Sequence, residues 1–141
     1  MKQNKAIALI SRIREKANRF IIKELEAQGI DGIVPSHGDI LVHLFAGGKY
    51  TMKDLAEKIH RTKPTVTVLV DKLVDYGYVL KEKSLEDSRV TFIILTDKGL
   101  TLNPTFTKIS AKLNDLVYSN LTDQEVEVFE RALSKINDNF K

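Results

Sequence analysis

The chain has 141 residues, 43% of them apolar and 29% charged, a composition that fits one globular domain with a real core. Its 22 basic and 19 acidic residues leave a net charge of +3, compatible with a nucleic-acid partner but too mild to argue for one. The absence of cysteine excludes a disulfide framework, a thiolate nucleophile and cysteine-based redox sensing, and no apolar run approaches the roughly 20 residues of a membrane span.

The opening MKQNKAIALISRIREK mixes a short apolar patch with charges, so a signal peptide is not expected; a reducing, cytoplasmic setting fits. Residues 3–28 predict one long helix. Ile7, Ile10, Ile13, Ala17, Phe20, Ile21 and Leu25 recur at helical spacing, Arg12, Lys16, Arg19 and Lys23 fall opposite, and Gly29 ends the run. Such a helix would be about 39 Å long at about 1.5 Å per residue. A core of this size cannot cover that length, so part of the stripe is expected to meet a second copy of the chain. After the loop GIDGIVP, a helix is predicted over 36–46 with Ile40, Leu41, Leu44 and Phe45 inward, closed by Gly47-Gly48. His37 and His43 are six residues apart on that helix and so on different faces, which rules out a shared metal through helix spacing. No zinc motif is present, and neither a metal nor a cofactor is expected.

Thr51 to Tyr78, TMKDLAEKIHRTKPTVTVLVDKLVDYGY, is the most informative stretch. Two helices are predicted, Met52–Ile59 and Lys63–Asp75, with Thr51 and Thr62 as N-caps and Pro64 in the second helix's first turn. Leu55, Ala56 and Ile59 form one apolar stripe, and Val66, Leu69, Val70 and Leu73 form the other. Gly77 closes the unit. Left outside the stripes are Arg61, Thr62, Lys63, Thr65, Thr67, Val68 and Lys72. These cations, hydroxyls and small groups at a helix N-terminus suit phosphate oxygens and base edges. The pattern fits a helix-turn-helix whose second helix reads DNA; the alternative on these residues alone is an ordinary helical hairpin with a polar face. His60, in the turn, is placed to touch a phosphate.

Beyond Gly77 the period changes to that of strands. Residues 78–83 and 90–95 predict a β-hairpin across the polar SLEDSR, a wing whose tip carries Lys83, Ser84, Asp87, Ser88 and Arg89. Arg89 can enter a narrow minor groove, with Asp87 holding it in place. Thr96 can cap a helix beginning DKG. At Asn103-Pro104 the helix either kinks or restarts with Asn103 as cap. Phe106, Ile109, Leu113, Leu116 and Val117 then form a stripe. Thr122-x-x-Glu125 is a capping box that opens a last helix, with Val126, Phe129, Leu133, Ile136 and Phe140 on one face. None of these helices has the basic, aromatic-anchored face of a membrane-surface helix.

Four ordered features together resemble the MarR family of winged helix-turn-helix regulators. They are DLAEKI before the turn, KPTVTVLVDKLVDYGYV, the wing segment DSRVTFIILTDKG with its Asp-x-Arg and Leu-Thr-x-x-Gly, and the helical frame on either side. The resemblance spans the chain and implies a mainly α fold with a small β-wing. It implies a winged lobe over 35–99 integrated with a helical dimerisation region over 1–34 and 100–141. It further implies a homodimer on double-stranded DNA, with recognition helices in successive major grooves and wing arginines in the flanking minor grooves. The contacts carry over to Lys63, Thr65, Thr67 and Val68 on the helix and to Asp87 and Arg89 on the wing. Val68 departs from the pattern, because many members carry a polar or basic residue there; a valine could contact a thymine methyl instead. Many members release DNA on binding a small, often aromatic anion. The corresponding lining here would be Phe20, His37, Ile40, Leu41, Leu44 and Phe45, with Arg14 or Arg19 as the anion's partner.

The expected function is therefore a sequence-specific, homodimeric repressor. The alternative is a winged-helix protein-interaction module, which needs no basic recognition helix or wing; Arg61, Lys63, Lys72 and Arg89 argue against it. An enzyme is not expected, for want of a nucleophile–base pair, a Gly-rich phosphate loop or a metal cluster.

Overall fold

The computed structural model describes residues 4–140. In chain order it forms α1 (Ala6–Ala27), α2 (Pro35–Phe45), α3 (Met52–Ile59), α4 (Lys63–Asp75), β1 (Val79–Lys83), β2 (Thr91–Leu95), α5 (Asp97–Leu100), α6 (Asn103–Tyr118) and α7 (Asp123–Asp138). The fold is mainly α with a two-stranded antiparallel wing, as the resemblance implied. The chain divides into two compact units, the first running through Ile109 and the second from Ser110, so the division falls within α6.

In the first unit, Leu25 of α1, Ile40, Leu41 and Leu44 of α2, Leu55 of α3, Val66, Val70 and Leu73 of α4 and Ile93 of β2 are all buried in one core. Leu102, Phe106 and Ile109 belong to the same core. Three short helices and a hairpin cannot each bury an apolar face alone; converging on one centre removes all these faces from water. In the second unit, the Tyr118 hydroxyl donates to Glu130 Oε2 at 2.7 Å. That bond raises the Tyr118 phenol above its ordinary value, because the carboxylate favours the protonated form.

Threonine caps set the helix starts. The side chains of Thr51, Thr62, Thr96 and Thr122 accept from the backbone N–H of Asp54, Thr65, Gly99 and Glu125 respectively. Asp54 and Glu125 return the bond to the cap's own N–H, each at 3.0 Å.

Several element bounds differ from expectation. Position 3, the expected start of the first helix, lies outside the described residues. The helix begins at Ala6 after Lys5, whose side chain makes no cap bond, and runs for 22 residues. Tyr78 is outside the wing ladder because its N–H returns to Leu73 O and its carbonyl accepts from Thr96 N, which makes it part of the exit from α4. Val90 is likewise spent on closing the wing turn, with Ser84 N donating to Val90 O and Val90 N to Asp87 O. The helix restarts after Leu100, but Asn103 is its first residue; the preceding Leu102 carbonyl accepts from Phe106 N. Phe140 lies beyond the end of α7 at Asp138.

Candidate nucleic-acid interface

The recognition helix is built by its cap and its buried stripe. Thr62 opens it, Pro64 pre-sets φ in its first turn, and Val66, Val70 and Leu73 are buried without remainder. That orientation turns Lys63, Thr65, Val68 and Lys72 outward, with Val68 70% exposed and Thr67 half-buried. Arg61 and Thr62 are exposed just before the helix. The N-terminal N–H groups and dipole of a 13-residue helix therefore lie beside Arg61, Lys63 and the hydroxyls of Thr62 and Thr65, while Lys72 is in the last turn.

Hydroxyl protons are partly committed. Thr62 Oγ1 donates to Thr65 Oγ1 at 2.9 Å, and Thr67 Oγ1 donates back to the Lys63 carbonyl at 2.9 Å. The turn before the helix holds a surprise: His60 ends α3 in the left-handed region at φ +56°. A histidine tolerates this conformation less readily than glycine, so His60 is a backbone feature of the turn as well as an exposed side chain.

At the wing tip, Ser84 and Asp87 shape the turn. Ser84 Oγ accepts from Glu86 N and Asp87 N at 3.2 and 3.3 Å. Asp87 Oδ1 accepts from Arg89 N at 3.0 Å and from Arg89 Nε at 3.1 Å, while Oδ2 accepts from an Arg89 terminal nitrogen at 3.2 Å. The expected Asp87–Arg89 pair is thus present in a bidentate form that still leaves the arginine side chain 89% exposed. These bonds lower the Asp87 carboxyl below its ordinary value, the Arg89 side chain acting most. Lys83, the last residue of β1, is exposed beside the tip.

A family model for the MarR family matches residues 33–91, which span α2 through the start of β2. The HTH-type transcriptional regulator MhqR of Bacillus subtilis is 28% identical over 141 residues, covering 99% of this chain and 94% of that protein. Among solved structures, the MepR–DNA complex of S. aureus superposes with a TM-score of 0.87 at 25% identity, covering 99% of this chain and all of that one. A MarR transcriptional regulator from Methanosarcina mazei Go1 gives a TM-score of 0.79 at 25% identity, over 96% of each chain. Residues 33–91, the winged lobe, carry the MarR-family domain. The chain is a transcriptional regulator of the winged helix-turn-helix type.

Three features of this MarR-family lobe have no signal in the sequence. Lys81 on β1 pairs with Asp71 on α4 at 2.7 Å, and Lys49 pairs with Glu82 on the same strand at 3.4 Å. Tyr50 exchanges backbone hydrogen bonds with Ile93, adding an isolated bridge to the wing sheet. The wing is therefore tied to the recognition helix and to the segment before α3.

The residues considered for an effector do not form one lining within the first unit. Ile40, Leu41 and Leu44 are core residues with 1% exposure or less. His37 is buried, and its Nδ1 accepts from Val34 N at 3.0 Å. Phe45 stacks tilted against Phe106, with ring centroids 5.8 Å apart. Arg14 is exposed, and Arg19 is exposed and paired with Glu15 at 3.1 Å. An open depression of about 550 Å³ lies instead along α1, lined by Lys16, Arg19, Phe20, Ile22 and Lys23. Among the described residues, no three histidine or acidic side chains are grouped to hold a metal ion, and no helix is long and apolar enough to cross a membrane.

Proposed function

We propose that this regulator acts as a homodimeric repressor on a pseudo-palindromic duplex whose half-sites are about one helical turn, 10–10.5 base pairs, apart. The observation that carries the reading is the exposed leading half of α4, with Arg61, Lys63 and Thr65 around a capped helix N-terminus and the pre-set Asp87–Arg89 wing beyond it. Arg61, Lys63 and Lys72 position the protein on phosphates; Thr65, Thr67 and Val68 face base edges; Arg89 enters the minor groove, supported by Lys83, Ser84 and Asp87. The structural likeness to a DNA complex supports this mode of docking.

Dimerisation is supported by apolar faces that the single chain leaves open. Ile7, Ile10 and Ile13 of α1 are exposed, as are Leu116 and Val117 of α6 and Phe129 and Ile136 of α7. Each set, on α1 of the first unit and on α6 and α7 of the second, is an open apolar face of the kind that a partner covers. The dimerisation region is assigned to residues 1–34 and 100–141.

A second reading concerns release. The depression along α1 combines an apolar floor at Phe20 and Ile22 with Lys16, Arg19 and Lys23 around it, chemistry that suits an aromatic anion. Titration with salicylate-like acids that left DNA affinity unchanged would remove this reading.

The deciding experiment is fluorescence anisotropy with duplex from upstream of the protein's own gene, beside a scrambled duplex, across a salt series. Selective binding that weakens steeply with salt is expected, with a slope that counts phosphate contacts at about 0.9 per contact. No binding to either duplex at low salt would favour a protein-interaction module.

A further inference from the structure

The chemistry exposed on α4 limits which bases it can read. The helix, KPTVTVLVDKLVD, contains no arginine, asparagine or glutamine. Bidentate recognition of adenine requires Asn or Gln, and that of guanine requires Arg or Lys, of which the helix has only Lys63 and Lys72. A carboxylate could accept from cytosine, but of the helix's two, Asp71 is held by Lys81 at 2.7 Å and Asp75 is its last residue. Thr67 has spent its proton on the Lys63 carbonyl, and the Thr62 hydroxyl has spent its own on Thr65. Lys63 opens the helix and Lys72 lies in its last turn, where its ammonium sits 5.9 Å from the centre of the Tyr76 ring, so neither cation is at the middle of the helix. What remains at the centre of the reading face is Val68, 70% exposed and wholly apolar. The major groove presents one apolar group, the thymine C5-methyl.

We infer that this regulator reads its half-site chiefly through thymine methyl groups, with Val68 as the residue that determines specificity. The inference rests on the DNA-binding reading above. Burying a valine methyl against a thymine methyl removes both from water. A polar residue at position 68 would instead need a hydrogen-bonding base opposite it. The hydroxyls of Thr65 and Thr67 add single bonds, which tolerate more than one base.

The test begins with duplexes selected by the wild-type protein from a random-core pool, remade with deoxyuridine in place of thymidine. Uracil keeps the pairing and lacks only the methyl. Wild type is expected to bind the uracil duplex about fourfold more weakly per contacted base, the equivalent of roughly 0.8 kcal/mol per buried methyl-sized group. Val68→Ala is expected to bind thymine and uracil duplexes nearly alike. The exposure of Val68 means that the variant should melt with wild type. Equal binding of both duplexes by wild type would overturn the inference. So would an equal uracil penalty in Val68→Ala, since the methyls would then act through duplex shape or another residue. If the wild-type protein selected no duplex and bound none at low salt, the DNA-binding reading itself would fail and this inference with it.

Discussion

Lys81 Nζ lies 2.7 Å from Asp71 Oδ1 and joins the first wing strand to the exposed side of the recognition helix. Such an exposed pair contributes little to stability, about 1 kcal/mol at most. Its consequence for DNA is larger, because it neutralises a carboxylate on a helix proposed to face phosphates. Lys81→Met should therefore melt within a few degrees of wild type yet bind duplex more weakly, since Asp71 is left uncompensated. Asp71→Asn in the Lys81→Met background should recover part of the loss. A double-mutant cycle measured by anisotropy checks this, and additive effects would show that the pair is not coupled in binding.

Arg89 is held by Asp87 through both side-chain oxygens and still reaches solvent. Removing the guanidinium should cost about 1–3 kcal/mol in duplex affinity, the range for an arginine making specific contacts. Asp87→Asn should cost less, because it loosens the arginine without deleting it. The Asp87 carboxyl is lowered by these bonds, so their contribution is present above the ordinary carboxylate range and is lost only as pH falls through the lowered value. The wing-tip pair should therefore persist across neutral pH. A gel-shift series in which Arg89→Ala kept full affinity would remove the wing from the interface.

The contrast between what is legible in this sequence and what is not follows the range of the interactions. Thr51, Thr62, Thr96 and Thr122 are readable as caps because each bonds a backbone N–H three residues on. The bounds of α3 and α4 follow from those caps and from stripes at helical spacing. The Asp71–Lys81 pair and the Tyr50–Ile93 bridge bring together residues 10 and more positions apart, and no local pattern encodes them. His60 adopts φ +56° without the glycine that would have flagged it. The considered effector set shows a different limit. Periodicity places Ile40, Leu41 and Leu44 on one face, but it does not say whether that face meets protein or ligand, and here it meets the core.

His37 makes stability pH-dependent. It is 3% exposed; Nδ1 accepts from Val34 N, while Nε2 has no hydrogen-bond partner among the described residues. Burial first, and the Lys72 charge second, lower the imidazole below its ordinary value, so the folded state prefers it neutral. The unfolded chain binds a proton near the ordinary histidine pKa of about 6.5. Stability should be full above that value and decline as pH falls below it, because only the unfolded chain then gains the proton. Denaturant melts at pH 8 and pH 5.5 should show the loss. In His37→Asn, whose amide oxygen can still accept from Val34 N, the difference should shrink. An unchanged pH difference in that variant would assign it to other groups.

Gly99 explains the glycine of the Leu-Thr-x-x-Gly segment, and Thr96 explains the threonine. Thr96 Oγ1 donates to Gly77 O at 2.6 Å and accepts from Gly99 N at 3.0 Å, while Thr96 N donates to Tyr78 O at 3.0 Å. One residue thus fastens the end of the wing to the exit of the recognition helix and starts α5. The backbones then approach so closely that a Cβ on Gly99 would collide with the Tyr78 carbonyl oxygen and the Leu95 side chain. A flexible side chain could move aside, but the carbonyl is fixed by Thr96. Gly99→Ala should therefore destabilise the fold by about 1–3 kcal/mol or more, as overpacking against backbone does. Thr96→Ala should cost about 0.5–2 kcal/mol as a lost cap, with an added penalty from the Gly77 carbonyl left without its donor. Chemical denaturation checks both. If Gly99→Ala were as stable as wild type, the α5 backbone would have to sit farther from Tyr78 than the structure places it, and the wing would not be clamped to the helix at this point.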